Sequence, residues 1–274
     1  MNETVLQEKN EATEPTEEAA SESFSALMSF FLEMSLLTKF MFRFFKEVFR
    51  PSYEVNEFLK QCYLVGCKSL PLVAITGFIM GLVLTIQSQP TLEQLGAESW
   101  LPAMVAISIV REIGPVLTAL ICARKVGSGI GAELASMKVT EQIDAMEVSG
   151  VNPFKYIVVT RVLAVTLMIP LLVIFSDVIS LLGSFMGVNL KENVSFFLFF
   201  FQVLDSLYFS DVFPAFLKTF FFGFAIGIIA CHKGYSSDKG TEGVGESANS
   251  SVVSASLWIF ILDMIAVQIT NLFT

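Results

Sequence analysis

Apolar positions along the chain gather into five long runs, roughly 64–86, 102–123, 156–183, 212–231 and 252–273, separated by shorter polar stretches. A helix crosses the hydrocarbon core of a membrane with about 20 predominantly apolar residues, so each run is long enough. Backbone in lipid has to satisfy its own hydrogen bonds, and the pattern therefore predicts an all-α polytopic membrane protein with five transmembrane helices. The first run carries Lys68 and Pro71 near its start, where a broken or re-entrant helix is expected. Val194–Phe201, VSFFLFFF, is too short to cross and is expected as a helix in the outer interface.

The runs are flanked by two unlike segments. Residues 24–60 mix Phe, Leu and Met with Lys39, Arg43, Lys46, Arg50 and Lys60. Charges interrupt this stretch too often for a sixth crossing, and it reads as an amphipathic helix in the cytoplasmic interface, its basic residues among anionic headgroups. Residues 1–23 hold seven Glu and one Lys, a net −6 of the chain's −9. So polar a segment buries too little to offset its ordering entropy, and we expect a disordered acidic tail. It has no basic region before an apolar one, which argues against a secretory signal peptide. The expected organisation is tail 1–23, interfacial helix 24–60 and transmembrane bundle 61–274.

Composition agrees. The chain is 54% hydrophobic and 16% charged, with 27 Phe, one His and a mean hydropathy of +0.67; soluble domains carry about a quarter charged residues. Orientation follows from the short loops. The stretch 87–101 has Glu93 and Glu98 and no basic residue, whereas 124–155 holds Arg124, Lys125, Lys138 and Lys155, and 232–251 holds Lys233 and Lys239. Positive loops stay in the cytoplasm, which places the N-terminus inside and the C-terminus outside.

Little in the sequence offers covalent chemistry. Cys62, Cys67, Cys122 and Cys231 lack metal-site spacing and read as small hydrophobes, and one His leaves almost no material for a metal site. GTEGVGES (240–247) imitates a phosphate-binding loop but puts Glu246 where the motif needs Lys, so any ATP would be bound by a separate subunit. Glycine pairs Gly77/Gly81, Gly183/Gly187 and Gly223/Gly227 recur at helical spacing, a packing device more than a dedicated dimer seam.

Ionisable residues at membrane depth say more. Arg111, Glu112, Lys218 and Asp263 fall inside apolar runs and sum to zero charge, so they can pair across helices. Adjacent Arg111 and Glu112 point about 100° apart on a helix, and each needs a partner elsewhere; Lys218 and Asp263 are the candidates. Such a group is either a buried clasp fixing helix register or a polar element of a transport pathway. Between the second and third runs, Gly127, Gly129 and Gly131 make a flexible exit, and ELASMKVTEQIDAMEV reads as a short amphipathic helix ended by Gly150 and Pro153. It suits docking on a cytoplasmic partner, or is a solvated loop helix.

REIGPVLTAL (111–120), GSGIGAELASMKVTEQIDAMEVSGVNPFKYIVVTRVLA (127–164) and SSVVSASLWIFILD (250–263) resemble the MlaE-type permeases, membrane subunits of ABC transporters that work with MCE proteins on envelope lipids. The resemblance implies a homodimer of five-span subunits in the bacterial inner membrane, each with an elbow helix before the first span. It implies a coupling helix at roughly 133–149 seated in a cytoplasmic ABC ATPase, with Lys138, Glu141, Gln142, Asp144 and Glu147 on it. A phospholipid cavity lined by Leu84, Leu92 and Leu95 is implied, facing a periplasmic MCE-domain carrier, with Arg111, Glu112, Lys218 and Asp263 as its functional charges. ATP and Mg would be bound by the ATPase, and this chain would hold no cofactor, no metal, no catalytic residue and no nucleic acid. The acidic tail is extra, and Thr160 stands where the family often has Pro. Two other readings are a proton-driven transporter using Glu112 or Asp263 and a lipid-modifying membrane enzyme; the first leaves the coupling-like segment unexplained, and the second lacks a nucleophile–base pair. A purely structural scaffold would tolerate alanine at all four charges.

Overall fold

The structure is a computed structural model and describes residues 28, 31–50, 54–191, 193–237 and 240–273. The expected tail lies outside the described residues. The chain divides into two compact units, 1–49 and 50–274. In the first, helix α1 covers residues 31–48. The stretch 24–60, expected as one helix, is thus divided, because a second helix begins at Val55 within the larger unit and Pro51 stands between them in sequence.

Five helical stretches in the larger unit are long and apolar enough to cross a membrane: Val55–Gln94, Glu98–Val139, Phe154–Asn189, Phe209–Tyr235 and Thr241–Leu272. The first is interrupted where Lys68 and Pro71 predict a break: α2 (Val55–Val65) ends before Gly66, and α3 (Leu70–Gln94) starts with Pro71 in its first turn. The Lys125 ammonium donates to the Lys68 carbonyl in this break. The second crossing is α4 (Leu101–Ser108), α5 (Gly114–Cys122) and α6 (Ser128–Val139), joined by π-turns at Ile109–Ile113 and Ala123–Gly127. After α7 (Gln142–Val148), a π-turn at Phe154–Val159 opens α8 (Thr160–Asn189). α9 (Phe196–Ser206), α10 (Phe209–Tyr235) and α11 (Thr241–Phe273) complete the chain.

The helix expected over 133–149 is two helices. Leu134 and Ala135 have no exposed surface, which draws the first half into the bundle between α10 and α11. Glu141 then adopts left-handed φ of 58°, turning the chain into α7. Gly127, Gly129 and Gly131 are no flexible exit either: Gly127 ends the π-turn and the other two lie within α6, where a side chain at Gly131 would meet the Ser247 carbonyl at 3.0 Å. All of GTEGVGES after Gly240 lies in the first turns of α11 and is not a loop.

α8 is the central helix, with buried residues along most of its length, whereas α11 buries a single stripe. All three glycine pairs serve it. A Cβ at Gly81 would overlap the Ser180 carbonyl and lie 2.9 Å from that residue's Cα, and one at Gly183 would overlap the Phe78 carbonyl, so α3 and α8 pack backbone on backbone. On the other side, a Cβ at Gly223 would lie 2.9 Å from Thr166 Cα and one at Gly227 3.0 Å from Val162 Cα, bringing α10 equally close. The outward faces of these helices carry Ile75, Ile79, Leu171, Ile174, Phe221, Leu257 and Phe260, all exposed. An apolar surface of this extent belongs in hydrocarbon.

α9 buries Phe199 and Val203 in a cluster with Leu101, Val105, Ala106, Ile109, Leu181 and Val188. Phe185 of α8 meets Phe199 edge-on at 5.5 Å. Its opposite face leaves Phe197 and Leu204 largely exposed, as suits a helix at a membrane boundary.

Gly81→Ala should destabilise the bundle by about 1–3 kcal/mol, because its methyl group meets backbone that has to move. Gly129→Ala, with nothing within 4 Å of the added carbon, should be neutral or slightly stabilising. Thermal midpoints of the two purified variants in one detergent check the contrast.

Candidate functional site

Arg111 and Glu112 occupy the π-turn Ile109–Ile113, where the wider turn interrupts regular helix next to Gly114 and Pro115. π-turns inside α-helices concentrate at functional sites. The two neighbours engage different residues of α10. Arg111 Nη1 lies 3.3 Å from Asp211 Oδ1. Glu112 Oε2 accepts from Lys218 Nζ at 2.7 Å, and the same ammonium donates to Asp263 Oδ1 of α11 at 2.8 Å. Asp211 and Lys218 are seven residues apart, about two helical turns, and so share a face.

The Lys218 side chain is 6% exposed, while those of Asp263 and Glu112 are 20% and 44% exposed. One ammonium thus ties the second crossing, α10 and α11 together, and Glu112 and Lys218 line a crevice. Arg111, Asp211, Thr270 and Asn271 line the same crevice. Two cations and three anions leave one net negative charge on the group. A guanidinium has five N–H donors, and the contact with Asp211 engages one nitrogen, so Arg111 retains donors for a further anion.

The structure therefore brings together three of the four charges singled out by sequence, Glu112, Lys218 and Asp263. It pairs the fourth, Arg111, with Asp211, which the sequence pattern did not single out. The signal was present: Asp211 lies one residue before the fourth apolar run, in helical phase with Lys218. Asp177 on α8 was also missed. Its Oδ1 is buried with no hydrogen-bond partner among the described residues and presses on Gly114, just beyond the π-turn.

Leu84 and Leu92 pack partly buried against the α4–α9 cluster, whereas Leu95, which caps α3, is 73% exposed. From the last turn of α6, the Lys138 ammonium donates to Asp144 Oδ1 of α7 at 3.3 Å across the turn. Glu141, Gln142, Asp144 and Glu147 are exposed and Ile143 is buried beneath them. Val148 is 90% exposed, an apolar side chain among acids. Of the cysteines, Cys122 and Cys231 are buried as expected of small hydrophobes, and Cys67 is exposed.

Five apolar crossings around a paired charge cluster define a multi-pass membrane protein with a polar site inside its bundle. The family model described as Permease MlaE matches residues 58–269. A probable ABC transporter permease protein of Rickettsia typhi is 36% identical over 88% of this chain and 93% of its own length. One from Rickettsia bellii is 40% identical over 82% of this chain and 86% of its own, and one from Synechocystis is 36% identical over 74% and 77%. The chain belongs to the MlaE permease family.

Lys218→Met should cost about 3 kcal/mol, since it strands two carboxylates beside each other inside the bundle. Adding Glu112→Gln and Asp263→Asn should recover most of that loss. Detergent melting curves for the single and triple variants test whether the ammonium is a clasp.

Proposed function

We propose that this permease is the membrane subunit of an ABC transporter that moves phospholipid between the bacterial inner membrane and a periplasmic MCE-type carrier, working as a homodimer on a separate cytoplasmic ATPase. The observation that carries the reading is the crevice at the Arg111–Asp211 and Glu112–Lys218–Asp263 groups, set in an otherwise apolar bundle. A diacyl phospholipid needs apolar walls for its chains and a few placed polar groups for its headgroup. Arg111 supplies phosphate donors at the crevice, and the carboxylates offer acceptors to a headgroup amine. The likeness to probable ABC transporter permeases supports ATP-driven transport, and the sequence supplies no phosphate-binding loop of its own.

In this reading the segment after α6 faces the cytoplasm and α7 contacts the ATPase, with Val148 and its flanking acids as the docking surface. Hydrolysis in the partner rocks the subunits and alternately closes and opens the lipid site. Purification from the native membrane in mild detergent should yield ATPase, MCE-domain protein and bound phospholipid together. A lone, lipid-free monomer overturns the proposal.

Val148→Asp should weaken association with the ATPase by about tenfold or more while leaving the melting temperature of the isolated permease unchanged. Pull-down of the ATPase on immobilised permease, beside a melting curve, checks both parts.

A further inference from the structure

A second buried ion pair lies away from the charge cluster. Arg161, at the start of α8, is 3% exposed, and its Nη2 donates to Glu133 Oε1 of α6 at 2.8 Å. Its Nη1 donates to the Ile157 carbonyl at 3.1 Å, within the π-turn that opens α8. Thr160 holds the same turn by donating to the Tyr156 carbonyl at 2.6 Å. The Nε of Arg161 is buried with no hydrogen-bond partner among the described residues. Glu133 is half-exposed.

Such a pair is a poor stabilising device. Desolvation of a buried guanidinium offsets much of its attraction to a carboxylate, and an unsatisfied N–H adds its own cost. Its placement is more informative. α6 packs closely on α10 and α11, where a side chain at Gly234 would meet the Gly131 carbonyl at 2.7 Å, but it packs only sparsely on α8. α6 then passes through the tight turn at Glu141 into α7, joined across that turn by Lys138 and Asp144. A push on α7 therefore moves α6. The ion pair is where that displacement meets α8, the helix on which α3 and α10 are mounted.

We propose that Arg161 and Glu133 form a positioning link that carries movement of the α6–α7 lever to the base of α8, coupling events in the ATPase to rearrangement around the lipid site. This rests on the reading of α7 as the ATPase contact. Neither residue lines the crevice; both act through the helices they join.

The test uses the complete complex in vesicles of phosphatidylethanolamine and phosphatidylglycerol containing a fluorescent phosphatidylethanolamine. ATP hydrolysis and ATP-dependent lipid transfer are measured on the same vesicles. Glu133→Ala removes a half-exposed side chain and spares the buried one. We expect its complex to assemble and to hydrolyse ATP within about twofold of the unaltered rate, while lipid moved per ATP falls about tenfold. The exchange Glu133→Arg with Arg161→Glu should raise that ratio again, which loss of stability alone would not produce. An unchanged ratio in Glu133→Ala, or hydrolysis and transfer falling in parallel, overturns the link and leaves the proposed function intact. Absence of bound ATPase or of ATP-dependent transfer in the unaltered complex removes the proposed function and the link with it.

Discussion

Lipid offers no hydrogen bonds, so each polar group carried into the bundle has to find its partner inside it. The Lys218 ammonium is where this constraint acts most strongly. It is almost fully buried, it carries a full charge, and it is neutralised by two carboxylates from two other helices. Satisfying it requires the second crossing, α10 and α11 to meet at one level and in one rotation. The glycine seams make that arrangement possible, because α3 and α10 can approach α8 closely enough for the remaining helices to converge.

The same constraint separates what can move from what cannot. α3, α8 and α10 touch through backbone, and a seam without side chains has no slack in which to repack. The parts of the second crossing differ: its interior holds a π-turn and the charge cluster, and its far end is clamped by small residues to α10 and α11 before it turns at Glu141. Force applied beyond that turn enters an element stiff enough to transmit it.

Much of this was legible in sequence because membranes impose a coarse grammar. Five apolar runs became five crossings, and Lys68 with Pro71 marked the break between α2 and α3. Lys218, Glu112 and Asp263 stood out because an ionisable residue at such depth demands a partner. Asp211 escaped because a position at the edge of an apolar run looks like a loop, while the helix extends past it to Phe209. The π-turns were invisible: nothing in IVREI distinguishes i→i+5 bonding from ordinary helix. The division between α6 and α7 was hidden for a related reason. Amphipathic spacing continues through ELASMKVTEQIDAMEV, and only the burial of Leu134 and Ala135 shows that its first half belongs to the bundle.

α11 enters the bundle along a single stripe. Ser247, Ser251, Ala255 and Ile259 are its buried positions among the described residues, four apart, and Asp263 continues the same line at lower burial. From Met264 to Leu272 no side chain is buried. The helix is thus seated along its serine half and tied at one carboxylate, with a less buried apolar end beyond that tie. The part of α11 beside the crevice, where Thr270 and Asn271 help to line the opening, is therefore the part with the least buried packing to hold it.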